Sequence, residues 1–197
     1  PINDFMLYLG GLINSATTLN PFLMGITVSV LVGCALTLPI SSVAICVMLG
    51  IDGLAAGAAS AGCCAQMIGF AVISYSDNGI GGFISQGVGT SMLQIGNIVK
   101  KPIIWLAPTL TAAILGPVST CVLHMTNNAL GAGMGTAGLV GPLATYAVMS
   151  EAGAETLPLI IKIICLYFIA PAAISMTIHQ GMKKAGWVKA GDMKLKQ

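Results

Sequence analysis

The charges in this chain are bunched, and the gaps between them are as long as a membrane is thick. No Asp, Glu, Lys or Arg occurs between Phe5 and Ile51, and none between Pro102 and Ser150. Charged residues make up 7% of the 197 positions, where a soluble domain carries about a quarter. A helix needs roughly 20 apolar residues to cross a hydrocarbon core of ~30 Å. Several stretches here are long enough, so the pattern predicts an all-α, polytopic transmembrane helical bundle.

Composition excludes other classes. The hydrophobic share is 56% with 25 glycines and nine prolines, and the mean hydropathy is +0.92. Glycine and proline at that level suit close helix packing and broken membrane helices. The net charge of +2 rests on lysines alone, without one arginine, which argues against nucleic-acid readout and against an arginine clamp on phosphate. The six cysteines (Cys34, Cys46, Cys63, Cys64, Cys121, Cys165) all lie in apolar stretches, and none has zinc-type spacing with histidine. They read as small packing residues; neighbouring Cys63 and Cys64 would make a strained disulfide on a helix. No metal and no cofactor is expected. The chain begins with Pro1 rather than Met, as a processed product or the ordered part of a longer chain would.

Proline, glycine and charge punctuate the chain into segments. Residues 2–18 form a mixed apolar segment, the end of a preceding helix or an interfacial one. Asn20-Pro21 opens a helix over Phe22–Leu38, since proline suits the first helical position. Pro39 ends or kinks it, and Ile40–Gly50 continues as a short helix. Asp52 can cap Gly53–Ser76, on which Gly53, Gly57 and Ala61 form a small-xxx-small face, for a second copy or for a helix of the same chain. Ser76-Asp77-Asn78-Gly79 is a turn. Pro102–Met125 is a span kinked at Pro108 and Pro117, and Pro158–His179 is the last span, with Pro171 in its middle.

The stretches 79–97 and 127–141 differ from these spans. Both mix glycines with Gln, Asn, Ser and Thr, and both are poor crossing helices. They read as two re-entrant segments, which survive at membrane depth only when buried in protein or facing a watery cavity. Gly87-Val88-Gly89-Thr90-Ser91-Met92-Leu93 matches Gly133-Met134-Gly135-Thr136-Ala137-Gly138-Leu139 as G-x-G-T-small-x-L. Paired broken segments are the sequence pointer to a midplane substrate site in transporters. Residues 1–182 would be the transmembrane domain and 183–197 a basic tail, which the positive-inside rule places in the cytoplasm together with Lys100 and Lys101. Trp105 would anchor at that interface. Spans 102–125 and 158–179 then run in opposite directions, and the two re-entrant segments enter from opposite faces.

Polar side chains inside a bilayer need a partner or a task. Gln66, in the middle of an apolar span, either glues helices or faces a pathway. Gln86, Gln94 and Asn97 in the first re-entrant segment, and Asn127, Asn128 and Thr136 in the second, supply the amides and hydroxyls that a polyhydroxyl ligand needs. His124 could hydrogen-bond a sugar hydroxyl or cap a helix C-terminus at the interface; His179, beside the lysines, reads as interfacial. Glu151 and Glu155 stand four apart, with Lys162 seven further on, and could bind a cation or a sugar hydroxyl or sit on a wet outer loop. The G-x-G elements are not nucleotide loops, for no strand precedes them and no P-loop lysine follows. There is no self-contained active site, so catalytic residues are not expected.

Thr37-Leu38-Pro39-Ile40-Ser41-Ser42, Gly62-Cys63-Cys64-Ala65-Gln66-Met67-Ile68-Gly69-Phe70-Ala71, Gly89-Thr90-Ser91-Met92-Leu93-Gln94, Asn127-Asn128 and Gly131-Ala132-Gly133-Met134-Gly135-Thr136 together resemble one bacterial family. It is the membrane IIC component of the phosphotransferase system, in the branch with perfringolysin O regulator-like proteins. The resemblance runs from about Pro21 to Lys184, and the family domain is longer, so this chain resembles its C-terminal part. It implies a multi-pass permease of the bacterial cytoplasmic membrane that binds a sugar substrate and moves it inward. A separate phosphorylated IIB component would then transfer phosphate to it. A homodimer in the lipid bilayer is implied too, with no nucleic acid. Better-known IIC families use a glutamate and a histidine near the sugar; Glu151 and His124 would be the counterparts, although neither lies in a family motif here. A membrane-embedded regulator that has kept the permease fold, and an ion-coupled secondary transporter using Glu151 and Glu155, are the alternative functions.

Overall fold

A computed structural model describes residues 20–195; the apolar segment expected at 2–18 lies outside them. The chain forms α1 (Pro21–Thr37), α2 (Ser42–Met48), α3 (Gly53–Ile73), α4 (Tyr75–Ile84), α5 (Ile95–Lys100), α6 (Pro102–Val122), α7 (Ala129–Met134), α8 (Val140–Glu151) and α9 (Thr156–Lys184). Among the described residues α3, α6 and α9 are long and apolar enough to cross a membrane, and α1 is a shorter apolar helix. The bundle is all-α; the described residues form no strand beyond a single bridge between Gly53 and Asn127.

Local chemistry sets the helix ends. Pro21 occupies the first turn of α1, where its missing N–H costs nothing. Leu38, forced out of helical geometry by Pro39, ends the helix in extended backbone. The Ser41 hydroxyl accepts the Ala44 N–H at 3.2 Å and caps α2. Asp52 precedes α3 as expected, but its side chain makes no capping bond. Gly53, at φ +61°, instead exchanges two backbone hydrogen bonds with Asn127 (3.0 and 3.2 Å).

The core is built around α3, whose apolar window is 94% buried, against 28% for α9. Fourteen of its 21 residues are Gly, Ala, Ser or Cys, so neighbouring backbones come close. A Cβ on Gly62 would overlap the carbonyl of Ser29 on α1, and one on Gly57 would overlap that of Met125. The same holds where α1 meets α6, with Gly116 against the Gly25 carbonyl. The small-residue face at Gly53, Gly57 and Ala61 is thus used within the chain. Short polar side chains join the helices: Ser29 donates to the Ala112 carbonyl (2.8 Å), and the hydroxyls of Thr111 and Ser175 share a hydrogen bond (2.8 Å). Contacts advance together along α1 and α3 (Ser29 with Gly62, Thr37 with Gln66) and along α3 and α9 (Ser60 with Tyr167, Gly69 with Ser175). They run in opposite order along α1 and α6 (Gly25 with Gly116, Cys34 with Thr109), so α1, α3 and α9 are parallel and α6 is antiparallel to them.

Two of the prolines inside the long helices, Pro117 and Pro171, stand beside π turns. Val118–Val122 follows Pro117 and Cys165–Ile169 precedes Pro171.

This packing makes a sharp prediction. Gly62→Ala should destabilise the chain by about 3 kcal/mol, because backbone on both sides must move apart. Gly96→Ala, where a Cβ meets open space, should stabilise α5 by about 0.5–1 kcal/mol. Unfolding in detergent micelles measures both; equal effects would contradict the close-packed account of α3.

Candidate functional site: two broken hairpins

Each half of the G-x-G-T repeat folds as helix, break, helix. In hairpin one, α4 runs on through a π turn at Ser85–Gly89 and breaks at Thr90, which is extended (φ −159°, ψ 141°). The chain resumes as a tight turn at Ser91–Gln94 and then α5. Thr90 caps the second arm by accepting the Met92 N–H at 3.1 Å. In hairpin two, Asn128 caps α7 through the Gly131 N–H at 2.9 Å. The chain breaks over Gly135–Leu139 and resumes as α8. Gly135, Gly138 and Leu139 all have positive φ (54°, 53° and 61°). Glycine adopts that region freely; Leu139 does not, so the break stores strain at its last residue.

The two breaks meet. The Thr136 hydroxyl donates to the Gly87 carbonyl at 2.6 Å, inside the protein. Hairpin one starts where α3 ends and turns back along it, until Ser91 reaches Thr37 of α1 (2.9 Å between hydroxyls). Hairpin two starts where α3 begins, at the Gly53–Asn127 bridge, and its Gly135 lies hard against Cys63. The tips therefore converge from opposite ends, beside the Cys63–Ala71 stretch of α3.

The amide side chains anticipated as ligand groups are engaged with the protein. Gln66 joins three helices: its Oε1 accepts from Trp105 Nε1 (3.0 Å) and Thr37 (3.4 Å), and its Nε2 donates to Thr109 (3.2 Å). Trp105, expected as an interface anchor, is half-buried in that cluster. Gln86 Nε2 donates to Ser74 Oγ (2.8 Å), Gln94 Nε2 to Gln86 Oε1 (2.9 Å) and Asn97 Nδ2 to Gln94 Oε1 (2.8 Å), a ladder of amides tying both arms of hairpin one. Asn127 Nδ2 donates to Ser60 (2.6 Å) and to the Gly141 carbonyl (3.2 Å), closing the base of hairpin two. His124 is exposed with φ +48°, and Glu151 is exposed at the end of α8. Both stand at the Gly53 end of the bundle, away from the tips. His179 is buried, and its Nε2 has no partner among the described residues.

Between the arms of hairpin one lies a groove of about 1080 Å³, lined by Asp77, Asn78, Ser85, Asn97, Lys100 and Lys194 among others. Asp77 and Asn78 read in the sequence as turn residues. The signal that could have marked them is an acid and an amide side by side straight after a span. Lys194 and Leu195 form part of the wall of this groove, and just before them Asp192 pairs with Lys101. The Lys101 ammonium and the Lys189 N–H hold the Asp192 carboxyl below the usual carboxylate range. Charge is sorted along the bundle. Lys100, Lys101, Lys183, Lys184, Lys189 and Lys194 share this end with Asp77 and Asp192, while Asp52, Glu151, Glu155 and Lys162 lie at the other.

A family model described as "Phosphotransferase system, EIIC" matches residues 1–195. No curated protein and no solved structure matches the chain.

Gln66→Leu should lower the unfolding free energy by about 2 kcal/mol, because it leaves the Trp105 N–H without an acceptor inside the bundle. A melting curve without any ligand measures it, and an unchanged curve would contradict the gluing role. The Lys101–Asp192 pair should add its full, modest contribution above the ordinary aspartate pKa of about 3.9. That contribution is lost as pH falls through the lowered folded value. Amide protection of residues 188–195, followed from neutral to about pH 3, should therefore hold until the acid end of the range.

Proposed function

Because the chain belongs to the EIIC family of the phosphotransferase system, and is thus a membrane protein and permease component of that system, we propose that it binds a sugar where its two broken hairpins meet. The meeting of the G-x-G-T tips carries this reading. A broken helix turns peptide groups away from its own ladder, and such groups at membrane depth must face protein or a polar solute. Thr90, Gly89, Gly138 and Leu139 are at least partly exposed at the tips, beside the buried Thr136. Their peptide and hydroxyl groups would serve a polyol by paired hydrogen bonds. Both hairpins would then be re-entrant, dipping into lipid from opposite faces.

The lysine-rich end would be cytoplasmic by the positive-inside rule, and the groove of hairpin one would lead the sugar toward it. A phosphorylated IIB component would dock there. The sugar hydroxyl oxygen would attack the phosphorus, the bond from phosphorus to its IIB carrier would break, and the hydroxyl proton would leave to water. The chain's own part is to bind and orient, and its lysines attract the charged partner. The remaining partners of this reading are the bilayer and a second copy of the chain. Asn128 would preserve its hairpin through the α7 cap. Gln86, Gln94, Asn97 and Asn127 would hold theirs through the bonds described above. Glu151 and His124 stand away from the tips, as does Glu155, so this reading does not require the carboxylates of an ion-coupled carrier.

The reading is tested with hexoses, hexitols and disaccharides added singly to the chain in proteoliposomes. One sugar class should bind, and Thr136→Val, which unties the tips, should weaken it about tenfold, the equivalent of one hydrogen bond of ~1.4 kcal/mol. Gly181→Ala, which lies off the groove and where a Cβ meets open space, should bind as the parent does. If none of the sugars binds, or the bound one is indifferent to Thr136→Val, the site lies elsewhere.

A further inference from the structure

Beyond Lys184 the chain folds back onto hairpin one. It turns at Gly186 (φ +73°) and again at Gly191 (φ +89°). Val188 and Met193 are buried, at 3% and 1% exposure, in a cluster with Phe70, Ile73, Ile98 and Ile104. From Gly191 to Leu195 the backbone is held by side chains of both arms. On the first arm, Asp77 accepts the N–H groups of Gly191 (3.1 Å) and Met193 (3.2 Å), and Asn78 Oδ1 accepts that of Leu195 (2.7 Å). On the second, Asn97 Nδ2 donates to the Lys194 carbonyl at 3.1 Å. One peptide group bridges the two arms, since the Met193 carbonyl accepts from Asn78 Nδ2 (2.8 Å) and from Gln94 Nε2 (3.0 Å).

We propose that residues 188–195 are a clasp that keeps the two arms of hairpin one together and its tip against hairpin two, with Asp77 and Asn78 as the positioning residues that receive it. An arm cannot swing away while the Met193 peptide is bonded to both. The amides that make the clasp also belong to the ladder ending at Gln86, next to Gly87, whose carbonyl takes the Thr136 hydroxyl. Release of the clasp thus loosens the tip through a short run of side chains, without any change in α3. A peptide held by side-chain amides and one surface ion pair, on two buried apolar anchors, can leave and return; a helix threaded through the core cannot. Lys194 and Leu195 of the clasp line the groove at the lysine-rich end, so release of the clasp would widen that end of hairpin one.

The test reads the hairpins directly and needs no sugar, so it stands apart from the transport reading. Met193→Asp puts a charge into the apolar anchor and should eject the segment, while Met193→Leu should leave it docked. Asp77→Ala removes two of the bonds from the other side. In the full chain in lipid nanodiscs, Met193→Asp and Asp77→Ala should raise amide exchange about tenfold or more at 188–195 and through both arms, 80–98, for a weakening of ~1.4 kcal/mol or more. Hairpin two's α8 and the α3 core should stay protected. Faster exchange at 188–195 alone would make the segment a passive tail, and faster exchange throughout would make it an ordinary part of the core. Either result, or no change in either variant, overturns the proposal.

Discussion

The hydrogen bond from Thr136 to the Gly87 carbonyl joins two helix breaks that reach α3 from opposite ends. A break in a helix frees peptide groups, and a membrane protein must satisfy them within itself. Here the need is met partly by caps from Thr90 and Asn128 and partly by each break leaning on the other. The Gly87 carbonyl in a π turn finds its donor on the opposite hairpin. That arrangement requires a smooth wall behind the tips, and α3 supplies it with glycine, alanine, serine and cysteine. A larger residue at Gly57 would push away the Met125 backbone that leads into hairpin two, and one at Gly62 would push away α1.

Polar side chains divide into two kinds of work in this frame. Gln66, Thr111, Ser29 and Asn127 join helices, each bonded to a group on a distant part of the chain. Bonds of this kind fix which helices meet in a medium that supplies little hydrophobic drive between them. The ladder from Ser74 through Gln86 and Gln94 to Asn97 works differently. It spans the gap between two arms and ends on peptide groups of residues 193 and 194. A ladder closed by a peptide from elsewhere in the chain can be opened, and hairpin one is therefore the more readily loosened of the two.

Much of the architecture was legible where covalent geometry dictates it. Pro21 and Pro39 bound α1, the two longest charge-free runs hold α1 and α6, and the matched G-x-G-T elements locate both breaks, because glycine and a capping threonine are what an interrupted helix requires. Lys100 and Lys101 share an end with the 183–195 lysines, as charge sorting implies. Other features were not legible. Whether Gln66 glues or faces a ligand depends on Trp105 and Thr109, some forty residues away in sequence. The amides of hairpin one looked free because nothing in Met193 or Leu195 announces that their peptide groups are partners. Asp52 looked like a cap for α3, yet the pairing of Gly53 with Asn127 replaced it, and a bridge between distant backbones leaves no mark on composition.

Nitroxide labels at Val88 and Leu139, both exposed on the tips, test the central claim most directly. Power saturation in liposomes, with oxygen and a water-soluble relaxer, reports the depth of each label. The account predicts that both lie near the middle of the hydrocarbon core, about 15 Å from either surface. Labels that both read as water-exposed at a membrane surface would contradict it, because the two breaks would then meet outside the bilayer.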